Sequence, residues 1–220
     1  MKETQRKSLV KTFYSNRASR YDDEIRKHPV LSSIRDQLVK ELYLNKGGLI
    51  LDLGCGSGIT AFAIRSRFGN GVVVGVDIAD QMVKVAKKHA RSFDDTTEFL
   101  IGDIERISFK DSTFDLVLCI NAIRYLESLK PALSEIYRVL GDDGRLILVD
   151  GDRECEALSD MFARERILKK HPLERKFVSL DGWGMLYTKD KIRNELMEAQ
   201  FENVTIESER MYLIARAQKK

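Results

Sequence analysis

The chain has 220 residues, 43% of them hydrophobic and only three of them proline, which suits one α/β domain and leaves little room for a second. Its 37 basic and 34 acidic residues leave a net charge of +3, too balanced to announce a nucleic-acid partner. No run of about eighteen apolar residues offers a membrane span, and the polar residues 1–11 lack the apolar centre of a signal peptide, so a cytoplasmic protein is expected.

Residues 8–27, with Phe13, Tyr14 and Tyr21 among polar neighbours, read as a short helical arm. Residues 30–44 are amphipathic, with Leu31, Ile34, Leu38 and Leu42 on one face, and Asn45, Gly47 and Gly48 end the pattern. Residues 1–48 are therefore read as an N-terminal helical arm or lid, and residues 49–220 as the core of the same single domain. The core opens on residues 49–58, Leu-Ile-Leu-Asp-Leu-Gly-Cys-Gly-Ser-Gly. Five mostly apolar residues have the length of a buried strand, three alternate glycines follow, and a helical pattern starts at Ile59. A glycine turn between strand and helix lets backbone lie against a ligand, and the free N–H groups of the first helical turn attract negative charge. The plain alternative is a tight turn with no ligand, which three glycines in five residues weaken.

Further strands are expected at 72–78, 98–101, 114–120 and 145–150, and helices at 59–68, 79–93 and 129–140, the last with Pro131 in its first turn. A turn is expected at 141–144. Strand alternating with helix argues for a parallel sheet covered on both faces by right-handed crossovers. Beyond it, a charged helix is expected over 154–170, a looser stretch holds Trp183, and Thr188 caps a helix over 189–200. Residues 204–207 and 211–215 are separated by a short polar turn and should pair as an antiparallel hairpin at the sheet's edge.

In open parallel sheets ligands sit beyond the carboxyl ends of the strands. Asp52, Asp77 and Asp103 fall at the ends of the first three strands. Asp77, nineteen residues after Gly58, is placed to accept both hydrogen bonds of a ribose diol, beside the plainer role of capping the next helix. The dinucleotide fingerprint G-x-G-x-x-G is not met, because the third glycine comes one place early and Ile59 stands where it belongs. That spacing favours another adenosine ligand over a nicotinamide cofactor. Cys55, Cys119 and Cys155 form no Cys-x-x-Cys pair and have no histidine at ligand spacing, so no metal site is expected.

These motifs resemble those of class I S-adenosylmethionine-dependent methyltransferases, of the small-molecule type that includes the ubiquinone and menaquinone methyltransferases. Residues 51–58 are similar to the first motif of that superfamily, Asp77 to the acid after the second strand, and Gly102, Asp103 and Ile104 to the third-strand motif. Residues 114–122 and 139–146 resemble the fourth-strand and fifth-strand motifs, and the likeness covers roughly residues 10–216. It implies a Rossmann-like, doubly wound, mostly parallel seven-stranded sheet with an antiparallel edge hairpin at the C-terminus. It also implies S-adenosylmethionine as cofactor. Gly54, Cys55, Gly56 and Gly58 would then wrap its methionine portion, Asp77 hold the ribose, and Asp103 with the Ile104 N–H address the adenine, with Asp52 counted among the cofactor-binding residues. Ile78 and Met82 would pack on the adenine, and Ile120 and Asn121 would border the sulfonium.

A methyl sulfonium is already activated, so the protein's tasks are to align the nucleophile and exclude water, and a catalytic base is optional. Many relatives carry Asn-Ala-x-His-His after the fourth strand. This chain has Asn121, Ala122, Ile123, Arg124 and Tyr125 there, which removes a base candidate. Arg124 and Tyr125, with Tyr14 and Tyr21 of the arm, are the acceptor-pocket candidates. For Arg124 the plainer reading is a surface arginine. Histidines 28 and 171 are weaker pocket candidates, and His89 is expected to be solvated. Three readings stand: a small-molecule methyltransferase, a methyltransferase acting on RNA or protein through the basic residues 164–176, and a non-catalytic S-adenosylmethionine-binding protein. A homo-oligomer is left open.

Overall fold

The computed structural model describes residues 3–26, 29–42, 48–69, 72–92, 97–158 and 186–220. Three helices come first, α1 (Glu3–Arg17), α2 (Tyr21–Arg26) and α3 (Pro29–Glu41). The alternating part follows as β1 (Leu49–Leu53), α4 (Ile59–Phe68), β2 (Val72–Asp77), α5 (Asp80–Ala90), β3 (Thr97–Ile101), β4 (Phe114–Ile120), α6 (Lys130–Val139) and β5 (Leu140–Gly151). The chain closes with α7 (Lys189–Glu198), β6 (Glu202–Glu209) and β7 (Tyr212–Gln218).

The seven strands form one sheet in the order β3-β2-β1-β4-β5-β7-β6. The first five are parallel to one another, and β7 runs antiparallel to both β5 and β6. The hairpin therefore caps the sheet as the sequence suggests, with β7 inside and β6 at the edge.

Strand side chains alternate between two cores, which is why the central strands read as continuous apolar runs. Leu51, Leu53, Val117, Cys119, Leu146 and Leu148 face α6 and α7 through Leu133, Ile136, Ile192 and Leu196. Ile50, Val73, Leu116, Leu118, Ile147 and Val149 face the opposite layer, where Ile34 and Leu38 of α3 join Ala61, Ile64, Val83 and Ala86 of α4 and α5. Helix α3 thus shares the main core, whereas α1 and α2 lie over the sheet's carboxyl end. Tyr14, Ala18 and Tyr21 meet Ala79 and Met82 there. Ser15 Oγ also donates to Asp80 Oδ1 at 3.2 Å.

From β1 the chain moves outward to β2 and β3, then returns to place β4 on the other side of β1. This reversal opens a crevice beyond the ends of β1 and β4.

Some boundaries differ from those expected. No helix is described between β3 and β4. Strand β5 begins at Leu140, because the expected turn over 141–144 is absorbed as an irregularity in the pairing with β4, with Asp143 at φ 61°. Helix α5 stops at Ala90. Thr188 caps α7 as expected, its Oγ1 accepting the Lys191 N–H at 3.2 Å. The expected helix beyond residue 158, Trp183, His28, His171 and the basic residues 164–176 lie outside the described residues. No helix among the described residues is long and apolar enough to cross a membrane.

Candidate active site

The glycine turn lies at the reversal point. Gly54, Gly56 and Gly58 all have positive φ, at 72°, 54° and 86°. At Gly54 a Cβ would come within 2.5 Å of the Ala122 Cβ, so the turns after β1 and β4 can touch only because this residue has no side chain. Gly58 points elsewhere: a Cβ there would lie 2.7 Å from Phe99 Cζ, so it permits helix-on-sheet packing and does not line the crevice.

Asp77 ties this turn to β2. Its Oδ2 accepts the Gly56 N–H and its Oδ1 the Ala79 N–H, both at 2.8 Å. The side chain therefore shapes the glycine turn and the entry to α5 together, a capping role that Asp80 does not take. Burial pushes the Asp77 carboxyl up, and the N–H groups of Ala79, Gly56 and Ile78 hold it down.

One cavity runs from this turn to the arm. It is lined by Gly54, Gly56, Asp77, Ile78, Asp103, Ile104, Ile120 and Asn121 together with Tyr14, Tyr21 and Tyr125, and the Tyr21 ring reaches the glycine turn, its Cε1 lying 3.4 Å from where a Gly56 Cβ would stand. Asp103 Oδ1 accepts the Glu105 N–H at 3.0 Å, while Lys7 of α1 lies 2.7 Å from Asp103 Oδ2 and 2.6 Å from Glu105 Oε2. Helix α1 is thus fastened to the turn after β3 by ion pairs.

A small side pocket branches off behind Gly54, lined by Arg35, Asp52, Cys55, Ser57 and Thr60 among others, and shares Tyr21, Ile120 and Asn121 with the main cavity. Three buried polar atoms there, Arg35 Nε, Asp52 Oδ2 and Ser57 Oγ, have no hydrogen-bond partner among the described residues. The carboxylate nearest Arg35, Asp36, is 3.9 Å from Nε, beyond hydrogen-bond reach. Asp52 is 2% exposed, and burial, then the charge of Asp77, raises its carboxyl from 3.8 to about 7. Burial likewise lowers the Arg35 guanidinium. Orphaned buried groups of opposite charge call for a ligand that presents a cation to one and an anion to the other. The amino-acid end of S-adenosylmethionine carries both, so the residues fit the cofactor that the sequence implies.

Three tyrosines of the cavity cluster together. The Tyr14 ring meets Tyr21 at 6.0 Å and Tyr125 at 5.6 Å, both edge to face, and the Tyr14 and Tyr125 hydroxyls are hydrogen-bonded. Burial, then Tyr125, pushes the Tyr14 phenol well up, so it is neutral at physiological pH. Arg124 is not at the surface: its Nη2 lies 2.5 Å from Asp150 Oδ1 and donates to Asn121 Oδ1 at 2.6 Å, while its buried Nε has no hydrogen-bond partner among the described residues. This arginine braces the turn behind Tyr125.

The remaining expected site residues divide as follows. Met82 is 1% exposed beneath the arm and does not line the cavity, because the helical period of α5 turns it inward. Cys55 and Asp52 line the side pocket only. His89 is not simply solvated, for its Nδ1 stands 3.6 Å from Asp22 Oδ2 and its ring against Phe62. Arg35 escapes sequence reasoning: on α3 it reads as one more charged residue on a helix's polar side. Lys7 carries no signal either. No group of three or more His, Cys, Asp or Glu among the described residues is placed to hold a metal ion.

Comparison with known proteins agrees with this geometry. Residues 51–148 match the family profile described as a methyltransferase domain. An uncharacterized protein of Methanocaldococcus jannaschii is 34% identical over 69% of this chain and 61% of its own length. A demethylmenaquinone methyltransferase of Symbiobacterium thermophilum is 33% identical over 53% of this chain and 48% of its own. The chain thus spans about half to three fifths of these curated relatives. Among solved structures, a SAM-dependent methyltransferase of Thermotoga maritima, described as a possible histamine N-methyltransferase, superposes with a TM-score of 0.72. It covers 96% of this chain and 99% of that one at 20% identity, a likeness of fold.

Proposed function

Because the chain belongs to the class I S-adenosylmethionine-dependent methyltransferases, we propose that it methylates a small-molecule acceptor held beneath α1 and α2. The observation that carries this reading is the single cavity shared by the glycine turn, Asp77 and the arm's tyrosines. A pocket roofed by helices of the same chain suits a small acceptor better than a long polymer.

When bound, S-adenosylmethionine supplies an activated methyl group on a sulfonium. Asp77 holds the ribose, its carboxylate retaining lone pairs beyond the two that accept backbone N–H groups. Asp103 and Ile104 address the adenine, and Ile78 packs against it. In the side pocket Arg35 takes the carboxylate of the amino-acid end, and Asp52 its ammonium. Tyr14, Tyr21 and Tyr125 exclude water at the reacting end, which strengthens every electrostatic contact inside.

The test is incubation with cell extract and cofactor carrying a labelled methyl, followed by mass spectrometry. A labelled small molecule that appears only with active protein supports the reading. Label found only in RNA or protein replaces it with the macromolecular alternative. Tight cofactor binding without any labelled product favours the non-catalytic one.

A further inference from the structure

The acceptor end of the cavity has an electrostatic character that narrows the acceptor class. Three tyrosines from three separate elements, α1, α2 and the turn after β4, line the cavity, Tyr14 meeting each of the other two edge to face and hydrogen-bonded to Tyr125. Aromatic faces carry negative charge density and attract cations within about 6 Å of the ring centre. The cavity's charged lining agrees in sign: two carboxylates, Asp77 and Asp103, stand against one lysine, and Lys7 is paired with Asp103 and Glu105. The Arg124 guanidinium, next to Tyr125 in the chain, is paired with Asp150 and does not line the cavity.

We infer that the tyrosine trio is a cation cage and that the methyl acceptor is a small amine. The inference rests on the methyltransferase reading above. An uncharged amine attacks with its own lone pair and needs no strong base from the protein. The nitrogen–carbon bond forms as the carbon–sulfur bond breaks, the bonding pair stays on sulfur, and the positive charge passes from sulfur to nitrogen. With a tertiary amine no proton is lost, and with a primary or secondary amine one leaves the product ammonium for water. The amine therefore enters uncharged, having left its proton in water, and the cage meets the positive charge as it arrives on nitrogen. An anionic acceptor would instead call for an uncommitted cation; among the described residues lining the main cavity the one cation is Lys7, which is paired, and Arg35 of the side pocket is assigned above to the cofactor's carboxylate. The Tyr14–Tyr125 bond also joins α1 to the turn after β4, so the cage is complete only with the arm down.

The test uses choline and its uncharged carbon isostere 3,3-dimethylbutan-1-ol as probes, titrated into the full chain saturated with S-adenosylhomocysteine. Choline should bind about tenfold more tightly than the isostere. Tyr125→Leu and Tyr21→Leu should bring that ratio close to one, while Tyr125→Phe, which keeps the ring, should preserve it. Equal binding of the two probes, no binding of either, or a ratio insensitive to loss of a ring overturns the cage. Should a leucine variant fail to fold, the wild-type ratio and the phenylalanine variant still decide. In the labelled-product screen, a product methylated only on carbon, oxygen or sulfur also overturns it. Failure of S-adenosylhomocysteine to bind at all would instead sink the methyltransferase reading, so the two failures are distinct.

Discussion

The two ends of the cavity are built in different ways. At the cofactor end, Asp52, Gly54, Gly56, Asp77 and Asp103 come from successive strand ends, each held by backbone hydrogen bonds or positive-φ geometry within a few residues of a strand. At the acceptor end, Tyr14, Tyr21 and Tyr125 are up to 111 residues apart in sequence, and tertiary contacts alone bring them together. The first end is polar and charged, with orphaned atoms awaiting a partner, and the second is aromatic and neutral. Strand-end sites are rigid and carry a recognisable local pattern, whereas a site made by laying helices over the sheet leaves little signature in any one stretch.

The sharpest break of that contrast is Asp77→Ala, which removes the proposed ribose acceptor and frees the N–H groups of Gly56 and Ala79 together. Cofactor affinity measured by calorimetry should fall by about a hundredfold, since each lost hydrogen bond to a charged group is worth about 1.5–3 kcal/mol. An unchanged dissociation constant would remove Asp77 from the site.

Arg35→Leu should weaken S-adenosylmethionine by about tenfold and leave 5′-methylthioadenosine, which lacks the amino-acid end, untouched. Equal losses for both ligands would mean that Arg35 supports the fold and does not hold a ligand carboxylate.

Asp52 gives a pH signature. Its carboxyl is raised in the folded state, so between about pH 4 and 7 the native protein binds more protons than the unfolded chain, and stability falls as pH rises across that window. The thermal midpoint of Asp52→Asn should fall less over the same range. Bound S-adenosylhomocysteine, whose ammonium favours the ionised carboxylate, should flatten the wild-type curve in the same way.

Tyr14→Phe is the mildest change. Losing one hydroxyl bond to Tyr125 costs about 1 kcal/mol, so amide exchange in α1 should quicken several-fold while the sheet's is unchanged. Equal acceleration in α1 and in β1 would mean that the bond supports the whole fold and not the arm.

Much of this was legible before any coordinates. Leu49 to Leu53 read as a buried strand, and the three glycines after it as a tight turn into a helix. Asp77 stood out because strand length fixes where β2 must end. Met82 and Gly58 were misplaced by the same logic: sequence spacing put them near the ligand, but the helical period turned Met82 inward and Phe99 filled the space beside Gly58. Arg124 looked like a surface residue because its partner, Asp150, lies 26 residues away on the next strand.

By itself the sequence determined the strands and their mostly parallel pairing, which follow from apolar runs, glycines and acids whose effects act over a few residues, and the resemblance of its motifs to a known family supplied the cofactor. Only the tertiary structure decided that Arg35 and Asp52 share a pocket, that Lys7 pins the arm over Asp103, and that three tyrosines face one another. Those contacts depend on how α1, α2 and α3 settle on the sheet, and the energy of that packing is spread over many weak apolar contacts that no short stretch of sequence records.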